Sequence, residues 1–198
     1  MPNEEKKEPR KLSWQQNAVL YFHDLVYLLA ALMVVFLLVF RVVVVEGSSM
    51  NKTLLEGDYL LLLNNTLYGE PEQGDIVVIS KDSYDNGTPI VKRVIATEGQ
   101  IVDIDFTSGT VYVDGVSLIE PYLNTSTNVN GGMEFPLEVS EGCVFVMGDN
   151  RNVSKDSRYM EIGLIDTREI LGKAIFLVLP GTDEGEKSPD FSRIGGLS

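Results

Sequence analysis

The sequence predicts a mainly β protein carried on one N-terminal transmembrane helix. Three observations lead there. Residues 18–40 form one long apolar run. The chain beyond them breaks into short apolar segments bounded by Gly, Asp and Asn. No stretch after residue 40 makes a convincing helix. At 198 residues there is room for one domain of ordinary size plus an anchor. The expected division is a polar segment 1–17, an anchor 18–40, a globular domain 41–180 and a flexible tail 181–198.

Taken in order, MPNEEKKEPRK (1–11) is polar and is expected to be disordered. Lys6, Lys7, Arg10 and Lys11 precede the apolar run, and basic residues on that side favour a cytoplasmic N-terminus. Trp14, Tyr21 and Tyr27 mark the onset of the run as interfacial aromatics do. From Ala18 to Phe40 only His23 and Asp24 are ionisable. A helix of that length reaches roughly 34 Å, enough for a hydrocarbon core. The run is too long for a cleaved leader, and no small-x-small site follows it, so a retained anchor is expected.

Val42 to Val45 are consecutive β-branched residues, which continue helices poorly and strands well. They predict a strand, with Gly47 loosening the chain before Ser49. Strands are also predicted after the Gly57-Asp58 turn, in GDIVVIS (74–80), in TPIVKRVIA (88–96), in CVFVM and in KAIFLVLP (173–180). IVDID (101–105) and TVYVDGVSL (110–118) read as hairpin strands with a turn at Asp114-Gly115. KDSYDNGT (81–88) and residues 120–137 are loops, and 165–170 has room for one helical turn. The tail from Gly181 is rich in Gly, Ser and acid, and reads as unpacked.

The formal net charge is −13, from 16 Lys+Arg against 29 Asp+Glu. A chain so acidic offers no basic face for phosphates, which argues against nucleic acid as a partner. Cys143 is the single cysteine, which excludes an intrachain disulfide and a multi-cysteine metal site. Its setting in CVFVM suits a small core residue. Residues 41–180 contain no histidine, so a Ser-His-Asp triad is excluded there. No metal or other cofactor is expected.

Three stretches carry candidate chemistry. In IVKRVIA, strand alternation puts Lys92 on the face of Ile90 and Val94, and Arg93 on that of Val91 and Ile95. A lysine between branched apolar neighbours is either buried or snorkelling at an edge. Buried, it loses ammonium stability and becomes a usable base near neutral pH. Ser49, in RVVVVEGSSMNKTL (41–54), is either a turn serine or a hydroxyl that needs such a base. It follows the apolar run closely enough to lie within about 30 Å of a bilayer. GDNRNVSKDSR (148–158) packs Asp149, Arg151, Lys155, Asp156 and Arg158 after an apolar strand. Such a cluster fixes a turn by ion pairs, or walls a site.

Together and in this order, GSSMNKTL, IVKRVIA and MGDNRNVSKDSR behind one anchor resemble the bacterial type I signal peptidases, over about Arg41 to Pro180. MGDNR…DSR is the most specific of the three. The resemblance implies a β-rich catalytic core outside the cytoplasmic membrane. It implies Ser49 as nucleophile and Lys92 as general base, with Ser154 orienting the lysine. Asp149, Arg151, Asp156 and Arg158 match the charged frame of the site, with Arg93 expected to pair with one of these aspartates. An oxyanion hole is implied at the backbone of Ser49, with Ser48 and Gly47 beside it. Substrate is implied to lie extended along Val44, Val45, Glu46 and Met50 on one side and Ile90 and Val91 on the other. The implied partners are preproteins bearing signal peptides, cut after Ala-x-Ala, and a phospholipid membrane. Two departures stand out. Lys52 replaces a usual proline, and Asn152-Val153 replaces a polar pair. The Lys52 departure motivates a rival reading, a catalytically dead relative that assists assembly. A self-cleaving repressor is excluded because 40 residues of anchor cannot supply a DNA-binding domain.

Overall fold

The computed structural model describes residues 14–182 and 186–197. The expected disorder of residues 1–11 lies outside the described residues. The chain forms two compact units, one ending at Leu38 and one beginning at Val39. The first contains helix α1, Trp14–Val39. Within it, Asn17–Val39 is long and apolar enough to cross a membrane, and none of it is buried by the protein. The helix begins four residues before the expected anchor, at the interfacial Trp14. It ends at Val39, and the strand that follows from Phe40 carries the β-branched run from Val42, whose successive Val side chains crowd a helical turn and suit a pleated strand.

The second unit is β, as predicted. A large antiparallel sheet contains β1 (Phe40–Val44), β2 (Tyr59–Asn64), β3 (Ile76–Ile79), β4 (Ile90–Thr97), β9 (Cys143–Met147), β10 (Ile165–Asp166), β11 (Ile170–Leu179) and β12 (Gly195–Gly196). Their order is β1-β2-β11-β3-β4-β9-β10, with β12 beside β11. A smaller sheet holds β5 (Ile101–Asp105), β6 (Thr110–Val113), β7 (Val116–Ser117) and β8 (Leu137–Glu138), in the order β7-β6-β5-β8. Asp114 and Gly115 both take positive φ, 52° and 77°, so the predicted turn joins β6 to β7 with the twist that tight hairpins need.

The central strand β3 is buried along its whole length. Its Ile76 and Val78 join Leu54, Leu60, Leu62 and Met50 in one core, while Val77 and Ile79 join Val94, Val146 and Ile170 in another. A third core ties β4 and β9 to the smaller sheet through Ile95, Phe145, Met147, Val102 and Val111.

One expectation changes. The tail is not unpacked over its described residues. β12 pairs with β11, and Arg193 forms an ion pair with buried Asp58. The single helical turn for which 165–170 has room is present as a 3-10 turn, Thr167–Glu169, directly after β10. Asp166 and Glu169 close that turn as a reciprocal cap, leaving no length for a helix. A single α turn, α2 (Asn65–Tyr68), lies between β2 and β3.

Candidate active site

Lys92 lies in β4, paired across to Val77, with neighbours Ile90 and Val94 along its own side of the strand. The exposed-edge alternative is thereby settled: the residue is 3% exposed. Its Nζ lies 2.9 Å from Ser49 Oγ and donates to the carbonyl of Val91, also at 2.9 Å. Burial pulls the ammonium down from 10.5 to about 8, against an opposing pull from the Asp156 and Asp149 carboxylates. A free amine therefore sits beside a hydroxyl at mildly alkaline pH.

Ser49 is held by the turn after β9. The backbone N–H of Asn150 donates to the Ser49 carbonyl, and its side-chain amide to the Ser48 carbonyl, both at 3.0 Å. This approach depends on Gly148, where a Cβ would stand 2.4 Å from the Ser49 carbonyl oxygen and 2.3 Å from Ser154 Oγ. Only a residue without a side chain fits between them. Asp149 anchors the same loop from another side, accepting from Thr53 Oγ1 at 2.6 Å. Gly47 carries a positive φ of 81°, which suits the glycine found there.

The charged frame resolves into three buried pairs. Arg93 meets Asp149 in a two-point contact at 2.9 and 2.7 Å, donates to the Gly74 carbonyl and stacks 4.0 Å over the Tyr122 ring. Arg158 meets Asp156, which also accepts from the Gly148 N–H. Arg151 pairs with Glu120, which the sequence did not single out. Ser154 is buried, but its hydroxyl donates to the Lys155 carbonyl at 3.4 Å. Among the described residues no hydrogen bond joins it to Lys92, so the orienting role implied for Ser154 has no contact behind it here.

A cavity of about 470 Å³ opens beside Ser49 and Lys92. Val44, Glu46, Ile90 and Val91 line it, together with Val43, Val78, Thr88 and Pro89. Val45 and Met50 do not line it; at 3% and 1% exposure they face the core that contains Leu54 and Leu60. Strand alternation explains Val45, since the side chains before and after it point the other way.

Asn150, Gly148, Thr53 and Glu120 were missed. The first two stand inside MGDNR, so the motif marked their positions without marking their bonds. Asn150→Ala is expected to lower kcat about tenfold, the worth of one hydrogen bond of about 1.4 kcal/mol expressed in the transition state. Steady-state kinetics with thermal unfolding in parallel would check it, and an unchanged kcat would remove Asn150 from the site.

The description "Signal peptidase, peptidase S26" matches residues 19–179. A signal peptidase I from Bacillus amyloliquefaciens is 38% identical over 153 residues, covering 73% of this chain and 76% of that protein. Signal peptidase I T from Bacillus subtilis is 35% identical over 184 residues, covering 88% and 89%. A crystal structure of a signal peptidase I from Enterococcus faecalis V583 is 35% identical, covers 54% of this chain and 97% of that one, and has a TM-score of 0.43. By class, the family match and the two Bacillus relatives make the chain a serine peptidase. It belongs to the signal peptidase family, peptidase S26.

Proposed function

We propose that the chain removes signal peptides from exported preproteins through a Ser49–Lys92 dyad and an acyl-enzyme. The observation that carries this is the 2.9 Å approach of a buried lysine amine to Ser49 Oγ. Neutral Lys92 accepts the hydroxyl proton as Oγ attacks the scissile carbonyl. The tetrahedral oxyanion collapses, the C–N bond breaks, and the lysinium returns its proton to the leaving amine. An ester to Ser49 remains. Lys92, again neutral, takes a proton from water as the water oxygen attacks the ester carbonyl; the C–Oγ bond then breaks, the lysinium returns its proton to Oγ, and the signal peptide leaves with a free carboxyl group.

The oxyanion donor is the N–H of Ser49. A peptide plane holds its C=O and N–H in opposite directions. Asn150 fixes the Ser48 carbonyl, so it also aims the Ser49 N–H. The substrate lies extended beside β1 and β4, the strands that flank the cavity, and adds main-chain pairing to them. Branched Val and Ile side chains leave shallow recesses there, which favours small residues before the cut. The apolar helix anchors the enzyme in the membrane with its N-terminus in the cytoplasm, on the strength of Lys6, Lys7, Arg10 and Lys11. The peptidase domain is then on the outer side, where signal peptides emerge.

The test is cleavage of a preprotein with an Ala-x-Ala site by detergent-solubilised protein. The wild type is expected to cut after the second alanine, and Ser49→Ala to lose about 10⁴-fold in rate. Cleavage by Ser49→Ala at the wild-type rate would sink the proposal.

A further inference from the structure

Ser49 sits on a loop that leaves the sheet at Val45 and returns at Asp58. Its neck is closed by Val45 N–H to the Asp58 carbonyl and Gly57 N–H to the Val45 carbonyl, both at 2.9 Å. The Asp58 side chain, fully buried, also accepts from the Leu55 N–H at 2.8 Å. This carboxylate is met by Arg193, from the C-terminal segment beyond the residues matched to the family. Nη1 donates to Oδ1 at 2.9 Å and Nη2 to Oδ2 at 2.7 Å. Nη2 also reaches the Thr53 carbonyl at 3.4 Å, four residues past Ser49. Thr53 is the residue whose hydroxyl is fixed by Asp149 on the other side.

Arg193 itself has a firm base. It closes a 3-10 turn, Phe191–Arg193, capped by the Asp190 side chain. β12 follows and pairs with Phe176 and Leu177 of β11. Leu197 then packs against the core that contains Met50 and Leu54, the apolar residues on either side of Thr53 in the loop. The segment thus crosses the nucleophile loop as a strap, with the ion pair of half-buried Arg193 and buried Asp58 as its buckle.

We propose that Arg193 is a positioning residue for catalysis: the strap holds the loop at Thr53 and Asp58 so that Ser49 meets Lys92 at reacting distance. This rests on the reading of Ser49 as nucleophile. Lys92 is placed independently, by the pairing of β4 with β3 and β9. Loosening the strap therefore moves the hydroxyl and leaves the amine where it is. A guanidinium is suited to the task because its planar fork spans both carboxylate oxygens and a carbonyl together, which an ammonium cannot do.

The experiment compares full-length wild type, Arg193→Gln, Arg193→Lys and Ser49→Ala in single-turnover cleavage of an Ala-x-Ala preprotein at enzyme excess. The expected single-turnover rate constant falls about tenfold in Arg193→Gln and about threefold in Arg193→Lys. The enzyme concentration that gives half the maximal rate stays within twofold, and the acid limb of the pH–rate profile does not move. A strap that serves folding alone would lower Tm and leave the rate constant at saturating enzyme at the wild-type value, which would overturn the proposal. Wild-type rate constants and amplitudes in both Arg193 variants would overturn it too. Undiminished cleavage by Ser49→Ala would instead overturn the dyad reading, and the positioning role with it.

Discussion

Lys92→Met is expected to abolish cleavage and to make the protein more stable near neutral pH. Both effects have one cause. The folded protein holds the Lys92 pKa at about 8, below its ordinary 10.5, chiefly by burial. Below pH 8 the amine is protonated in folded and unfolded chains alike, and folding carries the full cost of burying the ammonium. Between 8 and 10.5 the unfolded chain binds the extra proton, so wild-type stability rises with pH through that window. The gap corresponds to about 3 kcal/mol. Methionine fills a similar volume without a charge, so its advantage is largest below pH 8 and fades as pH approaches 10.5. Catalysis moves the opposite way. The wild-type kcat/KM is expected to climb with pH, with an acid limb near 8, as the base form of Lys92 accumulates. Thermal unfolding of both proteins at pH 6.5 and 9.5, beside a pH–rate profile of the wild type, would check this. A limb near 10.5, or a methionine variant less stable at pH 6.5, would contradict the burial argument.

What could be read beforehand follows from how far apart the partners are. The burial of Lys92 was open to reading because strand alternation is local, although the pattern alone favoured an exposed edge. The β class and the hairpin at Asp114-Gly115 were legible for the same reason. The partner of Arg93 was left among several aspartates, since nothing local separates Asp149 from Asp156. Glu120 lies 31 residues from Arg151 in a loop without periodic pattern, so nothing marked it. The strap is the clearest failure. Its composition reads as unpacked, and what fastens it is an ion pair between residues 135 apart in sequence. Ser154 shows the reverse case, in which a motif supplied a role that the hydrogen bonds found here do not repeat.

Asp149→Ala is expected to be the most damaging single change outside the dyad, and a paired replacement separates its two jobs. Asp149 is fully buried, and Arg93 is only 2% exposed. Removing the carboxylate leaves a guanidinium with no counter-charge in a site closed to water, which costs about 3–5 kcal/mol. For a domain of this size that is about 10–15 °C in Tm. The same carboxylate fixes Thr53 in the nucleophile loop, so cleavage should fall even in the fraction that folds. A buried ion pair is weak evidence of net stability, however, because apolar side chains of similar volume often serve as well. The double variant Asp149→Leu with Arg93→Met should therefore recover most of the lost Tm. It should not recover kcat, because leucine offers no acceptor to the Thr53 hydroxyl. Thermal unfolding and cleavage assays on the single and double variants would decide the matter. If kcat returns together with Tm, the hold of Asp149 on Thr53 contributes nothing to catalysis, and the frame serves folding alone.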